Sequence, residues 1–321
     1  MKKALVIGVG LLVFVFMFSS LALAEITTSG SVQWKIYGSD EKPGGFEVAS
    51  PRFKYGDVRM HYDIKMTSGP WEALFAPRIR LDKDPELVED NGSYLKVYLD
   101  SSSVMLKPRL DYGLFDVYSV THGDPANIPK EPGVKLDLPF KPLDMSLDLV
   151  LNSTVVYKST GGTTGAGDQE TKWNYGAGLS FAAAPIGVAL QFITTDVTDY
   201  NWYGSAYGAK LTADLAPVSL EAQFASFSPE AAGKKDGSGI FAKVGYALGE
   251  GLGSLSLEYK GSDKEFNGLG TATADNYSKI KGKYTYPLAE AVNMEIAVAS
   301  IDKGLGEDDF TEYEVKFAAS L

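Results

Sequence analysis

Catalysis by a serine needs a base within hydrogen-bond reach and a third group to orient that base. Two histidines, His61 and His122, are the only imidazoles in the 321 residues, and cysteine is absent. The two lie on different elements, and no strained elbow or spacing singles out Ser68 or Ser119 as a nucleophile. The acid runs Asp82-Lys83-Asp84-Pro85-Glu86 and Glu307-Asp308-Asp309 carry oxygen ligands of the kind Ca²⁺ takes. Runs of this sort are more often solvated loop tips. No dinucleotide fingerprint or phosphate-cradling glycine loop occurs, and Gly161-Gly162 belongs to a loop. The sequence therefore offers no catalytic residue, no metal site and no cofactor site.

The remaining chemistry is that of charge in rows. Arg52 and Lys54, then Arg59, His61 and Lys65, alternate with apolar residues, with a change of phase near Gly56-Asp57 that reads as a β-bulge. Arg78 and Arg80 alternate with Phe75, Pro77 and Ile79, and Lys96, Lys107 and Arg109 follow. A further row is Lys279, Lys281 and Lys283. The segment Gly113–Glu131 carries Asp116, Asp124 and Glu131 among the apolar residues Leu114, Phe115, Val117 and Ile128.

Such rows need strands to hold them, and a period of two dominates the chain. Val32, Trp34 and Ile36 alternate with Ser31, Gln33 and Lys35. Leu143, Met145, Leu147, Leu149 and Leu151 form a second set. Ile240, Ala242, Val244, Tyr246 and Leu248 form a third, and Val292, Met294, Ile296 and Val298 a fourth. Short connections rich in Pro, Gly and Ser fall near 67–70, 101–102, 139–142, 183–185, 216–217, 249–251 and 287–289. Long ones fall near 39–49, 82–92, 113–131, 158–171, 195–201, 228–238, 261–275 and 302–309. The two kinds alternate and join about sixteen strands.

The last strand runs from Tyr313 to Leu321, with Tyr313, Val315, Phe317 and Ala319 on one face and Glu314, Lys316 and Ser320 on the other. An amphipathic strand with a free edge invites pairing, and closure of the last strand on the first removes that edge. The expected fold is all-β: a transmembrane, antiparallel, up-and-down barrel with short periplasmic turns and long extracellular loops. Its apolar face would meet outer-membrane lipid, with aromatic girdles at the two interfaces. Phe53, Tyr55, Trp173, Tyr203, Tyr259, Tyr277 and Tyr313 would mark the long-loop end. Trp71, Phe181, Tyr246, Tyr286 and Phe317 would mark the other.

Met1-Lys2-Lys3, an apolar stretch to about Phe18 and Ala22-Leu23-Ala24 have the layout of a secretory signal, with cleavage before Glu25. Residues 1–24 would be the signal peptide and 25–321 a single barrel domain, exported through the periplasm to the outer membrane. Loss of Lys2 and Lys3 takes the net charge from −11 to −13, which argues against a nucleic-acid partner.

Through this signal, strand count, alternation of turn lengths and terminal strand, the region 25–321 resembles the general diffusion porins of Gram-negative-type outer membranes. Such porins usually end in an aromatic residue. This chain ends in Leu321, with Phe317 on the apolar face nearby. The resemblance implies passive diffusion of small hydrophilic solutes and ions, a homotrimer, and an inward fold of the third long loop, 113–131. Arg52, Arg59, Arg78, Arg80, Lys107 and Arg109 would then form a basic wall facing Asp116, Asp124 and Glu131. Two other readings remain: an anion-preferring, substrate-selective channel, and a structural or adhesive barrel acting through loops such as 158–171 and 261–275.

Overall fold

Apolar residues at every second position cannot gather on one side of a helix, but they line one face of an extended chain. The computed structural model describes residues 25–39, 52–54, 58–80, 86–90, 93–108, 110, 131–140, 144–157, 169–195, 204–230, 235–263, 277–302 and 309–320. Among them all regular structure is β, in nineteen segments of one antiparallel sheet.

Three strands are each interrupted once, so sixteen cross the wall. These are β1 (Glu25–Ser39), β2 (Arg52–Lys54 with Val58–Ser68), β3 (Trp71–Phe75 with Pro77–Arg80), β4 (Glu86–Asp90 with Tyr94–Leu99) and β5 (Ser102–Lys107). After β6 (Gly133–Phe140) come β7 (Met145–Tyr157), β8 (Gln169–Ala183), β9 (Ile186–Thr195), β10 (Gly204–Leu215) and β11 (Val218–Pro229). The rest are β12 (Gly237–Ala247), β13 (Ser254–Ser262), β14 (Tyr277–Ala289), β15 (Val292–Asp302) and β16 (Phe310–Ser320).

Each strand pairs with its sequence neighbours, and β1 closes the ring on β16 from Ser31–Ser320 to Ser39–Glu312. That register sets Val32, Trp34 and Ile36 beside Ala319, Phe317 and Val315, so the apolar rows of the two chain ends coincide. On its other edge β1 pairs with β2, from Glu25–Thr67 to Trp34–Val58. A closed ring leaves no unpaired edge for a bilayer to penalise.

Two-residue turns lie at Gly69-Pro70, Asp100-Ser101, Ala184-Pro185, Ala216-Pro217 and Glu290-Ala291, all at one end of the barrel. Gly69 (φ 55°) and Asp100 (φ 54°) supply the left-handed backbone that such turns need. Leu179, Leu190, Leu211, Leu220, Phe224, Val244, Leu257 and Ile296 point outward with a third or more of their surface exposed, as a lipid-facing wall requires.

Three expectations are corrected. The connection at 82–92 contains a strand segment, Glu86–Asp90, paired with Pro77–Arg80. The register passes from Arg78–Glu89 to Ile79–Leu87, so Val88 is an extra residue in the ladder, and this bulge breaks the alternation. The last short turn is at Glu290-Ala291 rather than 287–289, because Pro287 pairs with Asn293 and a bulge between Pro287 and Ala289 carries β14 onward.

The third correction concerns the girdles. Trp173, Tyr259 and Tyr313 are exposed toward the long-loop end, and Trp71, Phe181 and Tyr246 toward the turn end. Tyr277 is buried: it shares the inward parity of Lys279, Lys281 and Lys283 and packs with Ile301 and Phe310. Tyr55 and Tyr203 lie outside the described residues, as do the signal segment 1–24 and the loop tips 82–85, 158–168 and 264–276.

Candidate functional site: the inward face of the barrel

Since neighbours in register share a face, the inward surface can be followed strand by strand. Along β10–β16 it is a lattice of opposite charges. Lys210 reaches Glu221 at 2.6 Å and Lys243 reaches Glu258 at 3.1 Å. Two β14 lysines reach across a whole strand, Lys279 to Glu312 at 2.6 Å and Lys281 to Glu314 at 3.9 Å, while Lys283 lies 3.9 Å from Glu295 on the adjacent β15. Between β14 and β16, directly opposite Lys283 and Lys281, stand Ala297 and Ala299, each 3 % exposed. Two methyl groups there keep the floor low, so long side chains can meet above it. Lys316 also contacts Glu295, at 3.2 Å, so one carboxylate serves two ammonium groups.

A second cluster occupies β2–β7. Glu72, 7 % exposed, accepts hydrogen bonds from Tyr94 Oη (2.5 Å) and Tyr98 Oη (3.2 Å) and pairs with Lys65 at 2.9 Å. A carboxylate this buried needs such partners to stay in place. Beside it, Lys135 bridges Asp137 (2.9 Å) and Asp148 (3.2 Å), and Ser103 donates to Asp137 at 3.1 Å. Lys96 lies 3.9 Å from Asp137 and 4.7 Å from the centre of the Tyr98 ring. The described inward face thus carries both signs in close array.

The expected basic wall is represented by its register. Arg59 stands between Gln33 and Arg80, and His61 between Ser31 and Arg78. The bulge at Gly56-Asp57 lies outside the described residues. The flanking pairs Tyr37–Lys54 and Trp34–Val58 nevertheless span three steps on β1 and four on β2. Arg52 and Lys54 therefore keep the same parity as Arg59. Arg78 and Arg80 have acidic register partners, Glu89 and Glu86, on the segment the sequence reading assigned to a loop. Lys107 is opposite Gly133. Glu131 accepts a hydrogen bond from the Leu110 N–H through its backbone carbonyl, at 2.9 Å. Arg109, Asp116 and Asp124 lie outside the described residues.

One inward feature escaped the sequence reading. Toward the long-loop end inward positions of β9–β12 turn apolar: Ile193, Ala206, Ala225 and Phe227 are fully buried, and Phe241 is 5 % exposed. Next to them Asn174 donates to Asn152 at 2.8 Å and accepts from the Thr195 hydroxyl. Leu110, 1 % exposed, packs over Gly133, where a β-carbon would come within 2.7 Å of its methyl group. Parity alone could have signalled this patch, because Ala225 and Phe227 continue the inward row of Glu221 and Gln223.

A charged, ring-shaped interior inside an apolar wall is the geometry of a channel. In solved structures the same fold occurs in the anion-selective porin from Comamonas acidovorans, at 12% identity over 93% of this chain and 100% of that one, with a TM-score of 0.63. The Salmonella typhi OmpF complex with daunomycin is similar at 12% identity over 91% of this chain and 97% of that one, with a TM-score of 0.60. A variant of the Rh. blastica porin matches at 12% identity, 92% and 100% coverage and a TM-score of 0.58. No curated protein sequence is a significant match. The sequence model described as Gram-negative porin matches residues 143–304, just over half of the 321. The chain belongs to the Gram-negative porin family, a channel-forming outer-membrane barrel.

Proposed function

We propose that this barrel is an open, water-filled pore through which small hydrophilic solutes and ions diffuse passively. The observation that carries the reading is the closed sixteen-strand wall with ion pairs inside and bare apolar side chains outside. A ring of that size is too wide for side chains to fill. Segment 113–131 folds inward and sets the narrowest passage. Two facts support this: water is kept from the apolar inward patch at Ile193, Ala206 and Phe227, and Leu110, at the root of the segment, packs over the inward face of Gly133. The basic wall of Arg52, Arg59, Arg78, Arg80, Lys107 and Arg109 faces Asp116, Asp124 and Glu131 across that passage, and the resulting field orients dipolar solutes.

Anion preference is the favoured selectivity, since Arg59 and Arg80 stand side by side with the single acid Glu86 as the next register partner, and His61 and Arg78 with Glu89. The 12%-identical Comamonas porin is named as anion-selective. Residues 1–24 are removed on export, and three copies assemble through the short-stranded sector β5–β6.

The test is planar-bilayer conductance of the refolded 25–321 barrel, with reversal potential under a salt gradient. Stable open steps are expected, and Arg59→Gln, Arg78→Gln and Arg80→Gln together should shift preference toward cations. Silence from protein shown to be inserted would overturn the channel. An unmoved reversal potential would remove the basic wall from the conducting path.

A further inference from the structure

Near the turn end of the barrel, the inward face of β11–β14 opens into a recess of about 340 Å³. Its lining includes Lys243, Lys283, Ser219, Ser254, Ser256 and Thr285. The space exists because Ser219, Gly245 and Ser256 lie in one register row, ending on Lys283. The row has no bulk before its cation: a β-carbon on Gly245 would overlap the Ser219 hydroxyl.

Two groups in the recess have unused hydrogen-bonding capacity. Ser256 Oγ is buried and has no partner. An unsatisfied buried hydroxyl costs about 1–3 kcal/mol, so it needs a ligand or a water to be explained. Beside it in register, the Lys283 ammonium lies 3.9 Å from its nearest carboxylate oxygen, on Glu295, outside hydrogen-bond distance. That carboxylate is already held by Lys316 at 3.2 Å. On the other wall Lys243 is paired with Glu258 at 3.1 Å and contributes charge rather than a free donor. Asp214, the one acid in the lining, is exposed at the rim beside the Ala216-Pro217 turn. An ammonium and a free hydroxyl side by side form a charge-assisted donor pair, the arrangement that suits an oxyanion.

We propose that this recess is a subsite for a small oxyanion, with Lys283 and Ser256 as the direct donors, Lys243 as the supporting charge, and Ser254 and Thr285 available to further oxygens. It rests on the reading of the barrel as open, since solute must reach it through the pore. It lies on β11–β14, away from the arginine row on β2–β3. A phosphate and a carboxylate share this chemistry, and competition between them separates the two.

The test uses the refolded barrel in detergent and inorganic phosphate as the probe, followed by broadening of the ³¹P line. Saturable broadening is expected, with affinity at least tenfold weaker in Lys283→Gln and several-fold weaker in Ser256→Ala. Lys210→Gln, on the same wall but outside the recess, should leave it in place. Ser256→Ala removes an unpaired buried hydroxyl and so keeps the barrel folded even if Lys283→Gln does not. Acetate displacing phosphate would assign the site to carboxylates as well. No saturable binding to the folded barrel, or binding unchanged in both variants, would overturn the proposal. A silent barrel in the bilayer that still binds phosphate would sink the pore reading and leave the subsite standing.

Discussion

At Gly253 the backbone φ is +78°, and a β-carbon there would overlap the Thr285 carbonyl oxygen of the neighbouring strand. Gly251, two residues earlier, has a similar φ of +73° but open space around it. The two separate backbone strain from steric exclusion within one connection, 248–253, where the Leu248 N–H is held by the Gly253 carbonyl at 3.0 Å. Gly251→Ala should therefore cost about 1–2 kcal/mol, the ordinary penalty for a left-handed residue. Gly253→Ala should cost more, by about 1–3 kcal/mol, because a strand carbonyl must move. Urea unfolding of the barrel in lipid vesicles gives both values. Equal losses would mean that the β12–β13 connection yields without disturbing β14.

The strand trio β14–β16 shows how an element fixes the charge seen by a passing ion. Its three lysines face inward because Ile280 and Tyr284 face lipid, and Glu312 and Glu314 neutralise two of them across Ala299 and Ala297. Partly solvated pairs such as these add only about 0–1 kcal/mol each to stability, so their main effect is on the field. Glu312→Gln with Glu314→Gln should release two lysines and move the reversal potential toward anions, opposite to the arginine substitutions. No movement would place this sector off the conducting path. The strands themselves were legible because lipid on one side and water on the other impose a strict alternation. What alternation could not reveal was which partner each charge would find. The sequence showed Lys279, Lys281 and Lys283 as a basic row, while the acids that answer it lie on two later strands. Glu86–Asp90 is hidden because a bulge breaks its period, and Tyr277 faces inward because parity along the strand, not aromatic type, sets the side it takes.

At the scale of the whole molecule, closure was readable from the terminal strand alone, since an amphipathic strand with a free edge needs a partner and β1 offers the matching apolar row. The uneven height of the wall was less evident. Among the described residues β5 has 6 and β6 has 8, whereas β7 has 13 and β8 has 15. Six residues extend about 20 Å, and tilted as barrel strands are they rise short of the apolar band of about 25 Å. Yet Leu106 and Val134 on this low sector are exposed and apolar. A second copy packed there would cover them and supply the missing height. The chain has no cysteine, so a single introduced one is a unique probe. Leu106→Cys and Val134→Cys should each give a two-chain adduct with a short bis-maleimide in the membrane. Leu190→Cys on β9, equally exposed on the tall side of the barrel, should give none. Adducts from Leu190 alone, or from none of the three, would show that the low sector faces lipid, and the bilayer would then have to thin around it.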